Sequence, residues 1–452
     1  MDIIAIIAKF VVDAKFENFP PKALQTAKTA VLDCVGVALA GSREECAKIT
    51  AEVARQERAK EEATVIGQGI KTSALCAALA NGTAAHALDF DHSFTLTGQP
   101  TAPIIPALFS LGDALGASGR QILEAYVTGF EVTGKLVYAQ RESTHDGWHA
   151  PNTLGVYGTT AACAKLLGLG ASQVEMALGI TASMASGVSA NFGTMTKPLH
   201  VGLGARNGVL AAKLAQSGYT ANVRALEAGA GFFDMYHHAS PIRHEAIEEL
   251  SKSYAAVSDG IRIKPYPCGG LTHQAIDAVL QFRAEQGITA DMVESIDVDV
   301  TQHTYNRIVF KVPQTGTQGK FCMNYLLARA IIDGRVSLEM FTDAAVRDPE
   351  VLKLGERVQM RLDTSLKASD AGGRPCRVTL RLKNGKALSR EVQHAKGGPE
   401  VPMTQDELRA KFTECARQAV SDRTAARLLE QIDGLESLPD IRPLCHLMRG
   451  EK

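Results

Sequence analysis

The stretch "KPYPCGG", Lys264 to Gly270, followed by "VESIDVDVT", Val293 to Thr301, marks a change of pattern along the chain. In the second segment Ile296, Val298 and Val300 alternate with polar residues, the period of a half-buried β-strand. "RVQMRLD" places Val358, Met360 and Leu362 in the same way, and in "CRVTLRLKNGKALSREV" two alternating runs flank Asn384-Gly385, a strong hairpin signal. Helices fit between, over 271 to about 287 and over "MNYLLARAIIDG". These segments predict an α+β unit over residues 266–401.

Upstream, the chain reads as helix after helix. In "PPKALQTAKTAVLDCVGVALAGS", Pro20 and Pro21 precede the start, apolar residues recur at helical spacing, and Gly41 stops the run. Later segments such as "KTSALCAALANGTAAHAL" and "GTTAACAKLLGL" carry Ala and Gly on their apolar faces, which lets helix axes approach closely but lowers intrinsic helix stability. Such helices need burial by neighbours. From Thr404 the chain turns helical again, with a Thr N-cap and an acidic first turn in "TQDELRAKFTECARQ". The expected fold is mainly α with an α+β insertion: a large all-helical domain over 1–265 and 402–452, and a smaller α+β lid domain over 266–401.

Composition narrows the partners. The 452 residues hold 48 Lys plus Arg against 49 Asp plus Glu, without the electropositive footprint of a nucleic-acid binder or a polybasic membrane protein. Small molecules and further copies of the chain are the expected partners. Charges interrupt the apolar N-terminus at Asp2, Lys9, Asp13 and Lys15, and no later run offers the ~18 to 20 uninterrupted apolar residues of a membrane span. Nine cysteines without a CxxC pair fit reduced thiols, so a cytoplasmic location is expected.

Titratable chemistry concentrates in a few places. "HALDFDHSF", His86 to Phe94, holds two histidines and two aspartates. If the segment after Leu88 is extended, Asp89 and Asp91 point the same way, as substrate-orienting carboxylates or, with one histidine, as an oxygen-rich cation site. Alternatively an Asp caps the next helix and a histidine is satisfied in the core. "GWHAPNTLGVYG" puts His149 in a Gly- and Pro-bounded loop beside the only tryptophan, Trp148. In "TKPLHVGLGARNG", Lys197 before Pro198 is expected to be extended, with His200 close behind. Gly202, Gly204 and Gly208 with Arg206 suggest either an anion cradle at a helix start or close helix packing. In "KPYPCGGLTH" Lys264 sits on a stiff connector, and Cys268 reads as a small buried thiol. Tyr325 opens an apolar helix in "GKFCMNYLLARA".

These motifs, in this order over nearly the full length, resemble the MmgE/PrpD family of dehydratases, decarboxylases and epimerases. The likeness rests on "HALDFDH", "GWHAPNTLGVYGTTAACAKLLGL", "KPLHVGLGARNGVLAAKLA", "KPYPCGGLTHQAIDA" and "KFCMNYLLARAIIDG". It implies a homodimer that binds a small di- or tricarboxylate without an organic cofactor or required metal. Position by position it implies catalytic roles for Asp91, His149, Lys197 and Tyr325 and a substrate contact from Lys264; Gln99, His92, His200 and Arg206 are further candidate substrate contacts by their residue type and place in the motifs. Asp91 is expected to fix His92 or His149. Two departures stand out: Gln99 occupies the position of a family histidine, and Gly269 lies where some members carry another. An amide can hold a carboxylate by hydrogen bonds but cannot exchange a proton near neutral pH. The implied reaction is proton abstraction next to a carboxylate, by a dehydratase- or decarboxylase-type lyase. Two alternatives are an isomerase epimerising a small dicarboxylate such as iminodisuccinate and a non-catalytic carboxylate-binding protein.

Overall fold

The computed structural model describes residues 2–94, 98–140, 147–236, 242–367 and 374–450. The chain divides into two compact units, Met1–Arg262 with Thr404–Lys452, and Ile263–Met403.

The first unit is helical. Its Pro21–Gly41 helix starts with proline at the first position, where the missing N–H has no intrahelical partner to lose. This helix is long and apolar enough to cross a membrane by length and composition, but 78% of its apolar window is buried inside the protein. It therefore reads as a core helix. The tail helix Gln405–Ala416 opens with the expected Thr404 cap, closed into a capping box by Glu407. Phe412 of the tail lies so close to Gly36 that a Cβ there would sit 3.0 Å from its ring.

The Ala- and Gly-rich faces show why such weak helix formers were expected to need neighbours. Where the Ala74–His86 helix crosses the Thr196–Gln216 helix, a Cβ on Gly202 would lie 2.4 Å from both the Leu79 carbonyl oxygen and Thr83 Oγ1. Backbone meets backbone at this crossing. Two expectations are corrected here. Gly202, Gly204 and Gly208 are helix-interior residues and form no anion cradle at a helix start. Lys197 is helical too, because Pro198 falls in the first turn, where N–H groups lack intrahelical acceptors anyway. Arg206 is mid-helix, with its guanidinium on Asn207 Oδ1 at 3.0 and 3.2 Å. A two-stranded ladder, β1 (Ala63–Thr64) with β2 (Lys71–Thr72), interrupts the helices. Strands of two residues carry no period that a sequence pattern could reveal.

The second unit holds a four-stranded sheet. Its strands are β3 (Val293–Val300), β4 (Val358–Leu362), β5 (Cys376–Leu382) and β6 (Ala387–Val392), in the order β4-β3-β5-β6. β3 runs parallel to β4 and antiparallel to β5, and β6 completes the antiparallel hairpin. Ile296, Val298 and Val300 are buried as their alternation predicts, in one core with Val378, Leu380 and the helices His273–Gln286 and Met323–Asp333. In the hairpin, Leu382 N–H donates to Lys386 O at 2.9 Å around Asn384 and Gly385, with φ +85° at Gly385. Only glycine enters that region without strain.

The crossing of the Ala74–His86 and Thr196–Gln216 helices at Gly202 yields a stability prediction. Gly202→Val should lower the unfolding free energy by about 3 kcal/mol through overpacking. Gly229→Ala, where a Cβ meets nothing within 4 Å, should stay within about 0.5 kcal/mol of the parent in the same urea titration.

Candidate functional site

His86 ends the Ala74–His86 helix, and the turn that follows decides where the two aspartates point. Asp89 has φ +53°, a left-handed conformation that breaks the expected extended run. The carboxylates consequently take different partners. Asp91 places its two oxygens 3.1 and 3.0 Å from His86 Nδ1. Asp89 Oδ1 accepts from the Lys197 ammonium at 2.8 Å. Asp91 therefore fixes His86, and neither His92 nor His149 as expected.

His149 is the N-cap of a short helix, Ala150–Thr153, and its backbone N–H donates to Gly187 O at 2.7 Å. Gly187 has φ +107°, and a Cβ there would lie 3.1 Å from the His200 ring, so glycine is required for this close pass. Lys197 and His200 sit three apart on the Thr196–Gln216 helix and share a side. The three imidazoles gather around His149: ring centroids lie 5.3 Å away at His86 and 5.4 Å away at His200. The Nδ1 atoms of His149 and His200 are 3.3 Å apart, so one donates and the other accepts. Phe192 presents its ring edge-to-face at 5.0 Å.

Burial grades the cluster. The Lys197 and Asp89 side chains are 21% and 16% exposed, while those of His86 and Asp91 are 0% and 2% exposed. His149 is buried, and this desolvation, reinforced by His86, Lys197 and His200, pushes its pKa well below that of an ordinary imidazole. His200 shifts the same way, through burial and the charges at His86 and Lys197. His149 is thus neutral at physiological pH, able to accept a proton and not to donate one from an imidazolium. Two buried side-chain atoms, His86 Nε2 and Asn152 Oδ1, have no hydrogen-bond partner among the described residues.

The remaining sequence candidates fall elsewhere. His92 is buried with both ring nitrogens engaged, Nδ1 at 2.8 Å from Asp33 Oδ2 and Nε2 at 2.6 Å from Thr101 Oγ1. Gln99 is half-buried just before the Thr101–Leu115 helix. In the second unit Lys264 is buried, and Cys268 is a buried thiol 3.5 Å from Thr272 Oγ1. Tyr325 belongs to that unit's core: its hydroxyl donates to the Met340 carbonyl and accepts from Arg329 Nε at 3.0 Å, and burial raises its pKa. Among the described residues no three His, Cys, Asp or Glu side chains converge as metal ligands. Motif reading gives His86 no role, because a histidine at a helix end resembles a satisfied core group. The five-residue spacing to Asp91 is the signal that could have found it.

Sequence comparison agrees with this arrangement of motifs. The MmgE/PrpD N-terminal domain matches residues 5–245, and the MmgE/PrpD C-terminal domain matches residues 266–437. The chain belongs to the MmgE/PrpD family. Its relatives include the cis-aconitate decarboxylase of Homo sapiens, 28% identical over 448 residues covering 96% of this chain and 92% of that protein. The cis-aconitate decarboxylase of Mus musculus is 27% identical over 94% of this chain and 89% of its own length. That of Aspergillus terreus is 27% identical, with 96% and 93% covered. The chain is accordingly an enzyme of the MmgE/PrpD family, with lyases among its relatives.

The depressed His149 pKa fixes a pH dependence. Between about pH 6.5, the unfolded value, and the lower folded value, the unfolded chain binds one more proton than the native one. The stability that neutral His149 preserves is complete above pH 6.5 and lost as the pH falls. Urea denaturation of His149→Gln should show a dependence shallower by up to about 1.4 kcal/mol per pH unit in that window.

Proposed function

We propose that this MmgE/PrpD enzyme is a cofactor-independent lyase that acts next to a carboxylate on a small di- or tricarboxylate, with decarboxylation as its outcome. The observation that carries the reading is His149, buried and neutral, in a cluster whose more open side holds the Lys197 ammonium. Taking a proton or carbon dioxide from carbon beside a carboxylate leaves an electron pair on an already anionic molecule. Such a step needs a cation at the developing charge before it needs a strong base. Lys197 has three N–H donors, and Asp89 orients the ammonium through one of them. His149 is the neutral base that accepts a proton in this site.

The relatives make cis-aconitate the first compound to test. Gln99 serves in this reading as a hydrogen-bond partner of a substrate carboxylate. Tyr325 receives no catalytic part, since its hydroxyl is already shared between Met340 and Arg329.

Purified protein incubated with cis-aconitate in deuterated water should release carbon dioxide and leave one deuterium on the product carbon. His149→Gln should lower kcat by about 10²–10⁴, the usual worth of a general base. Lys197→Met should cost about 10²–10³, the scale of a lost charge-stabilising donor, with the circular dichroism spectrum unchanged in both. Solvent exchange with an intact carbon skeleton and no carbon dioxide would replace this reading with an epimerase. Binding of polycarboxylates without turnover would reduce the protein to a carboxylate binder.

A further inference from the structure

The lyase reading leaves one part unassigned. When a carbon–carboxyl bond breaks, the electron pair left on carbon must receive a proton. His149 is neutral, Gln99 is an amide, and the Tyr325 hydroxyl is engaged within its own core. None of these supplies an acid, and the Lys197 ammonium, held on Asp89, is assigned to the developing charge.

Asp91 points to one that does. Its carboxylate is 2% exposed, and both oxygens lie at hydrogen-bond distance from a single side-chain partner, His86 Nδ1. A carboxylate buried without a counter-charge is costly, whereas an imidazolium–carboxylate pair is neutral as a unit. The contact also sets the ring's chemistry. Nδ1 keeps its hydrogen on Asp91, so a second proton, when the ring carries one, sits on Nε2, an atom that is buried and without a hydrogen-bond partner among the described residues. Among the described residues His149 and His200 have no carboxylate in hydrogen-bond contact; they meet each other through Nδ1. Two neighbouring imidazoles with centroids 5.3 Å apart thus have opposite surroundings, one beside a carboxylate and one without. Pairs of titratable groups separated in this way divide acid and base roles. The groups that act on this cluster are Asp91 and Asp89 from the turn after His86, His149 from the Ala150–Thr153 N-cap, Lys197 and His200 from the Thr196–Gln216 helix, and the Cys34 thiol near Asp91.

We propose that His86, held as an imidazolium by Asp91, is the proton donor of this site. The proposal rests on the lyase reading. In the step it describes, the bond between carbon and the departing carboxyl group breaks, carbon dioxide leaves, and the electron pair stays on carbon. The Nε2 proton of His86 then passes to that carbon. His86 remains as a neutral ring with its Nδ1 hydrogen on Asp91, and a proton from solvent water restores the imidazolium. Asp91 acts through His86 and is a positioning residue.

The test combines a spectrum with kinetics. In protein labelled with 15N-histidine, His86 should carry protons on both nitrogens at pH 7 and His149 on only one. Asp91→Asn should leave His86 singly protonated. With cis-aconitate, His86→Gln should lower kcat about 10²- to 10³-fold while KM changes less than about threefold, on the scale of other general acids. Asp91→Asn should move the basic limb of the pH–kcat profile to lower pH, and Asp91→Glu should restore much of the activity. A singly protonated His86 in the parent protein overturns the proposal, as does His86→Gln turnover within about threefold of the parent. If His86→Gln does not fold, the parent spectrum and the two Asp91 variants decide the matter. A parent protein that turns over no polycarboxylate refutes the lyase reading itself, a result distinct from an active parent whose His86 variants remain active.

Discussion

The site depends on one buried ammonium. Lys411, from the tail helix, pairs with Asp33 Oδ1 at 2.6 Å, donates to the Phe90 carbonyl at 2.9 Å, and lies 3.9 Å from the centre of the Phe90 ring. Phe90 stands between Asp89 and Asp91, the partners of Lys197 and His86. Fixing this single residue fixes the turn from which both carboxylates project. Asp33 completes the clamp by accepting from the His92 backbone N–H at 3.0 Å and facing its ring at 2.8 Å. Burial alone would raise the Asp33 pKa, but Lys411 and His92 outweigh it and hold it at about 2. A charged group this deep is retained only where its hydrogen bonds are met. Beyond His92 the chain of contacts runs through Thr101 to the Tyr126 hydroxyl, at 2.6 and 2.7 Å.

This arrangement gives the tail a reason to belong to the helical unit. The Gln405–Ala416 helix follows the sheet-bearing segment in sequence, yet its lysine reaches a backbone carbonyl 321 residues earlier. His92 accordingly reads as part of the scaffold behind the Asp89–Asp91 turn. The Asp33–His92–Thr101 geometry resembles a nucleophilic triad in its distances, but all three residues are buried and Thr101 also meets Tyr126. Thr101 Oγ1 is held between the His92 ring and the Tyr126 hydroxyl, so the network orders structure.

What the sequence could and could not show follows from the range of each interaction. Period-two alternation in Ile296, Val298 and Val300 and the Asn384-Gly385 turn are local, and both strands and hairpin appear where those residues place them. The Thr404 cap is equally local. Lys197 was misread because a proline is a helix breaker only beyond the first turn, and the boundary at Thr196 has no signal strong enough to place it. The glycines of the same helix carry two meanings in sequence, and only the backbone of the Ala74–His86 helix against Gly202 selects one. Within the site, the motifs located the right segments and missed the pairings. The left-handed turn at Asp89, which sends adjacent carboxylates to different partners, depends on a lysine far away in the chain.

Three histidines in one cluster are chemically identical in sequence and different in place. At the closed end, His86 faces a carboxylate that has no other side-chain partner; in the middle, His149 faces rings and cations; His200 shares a hydrogen bond with it. Burial first, and then the Lys197 ammonium and the neighbouring rings, lower the proton affinity of His149 and keep that imidazole neutral.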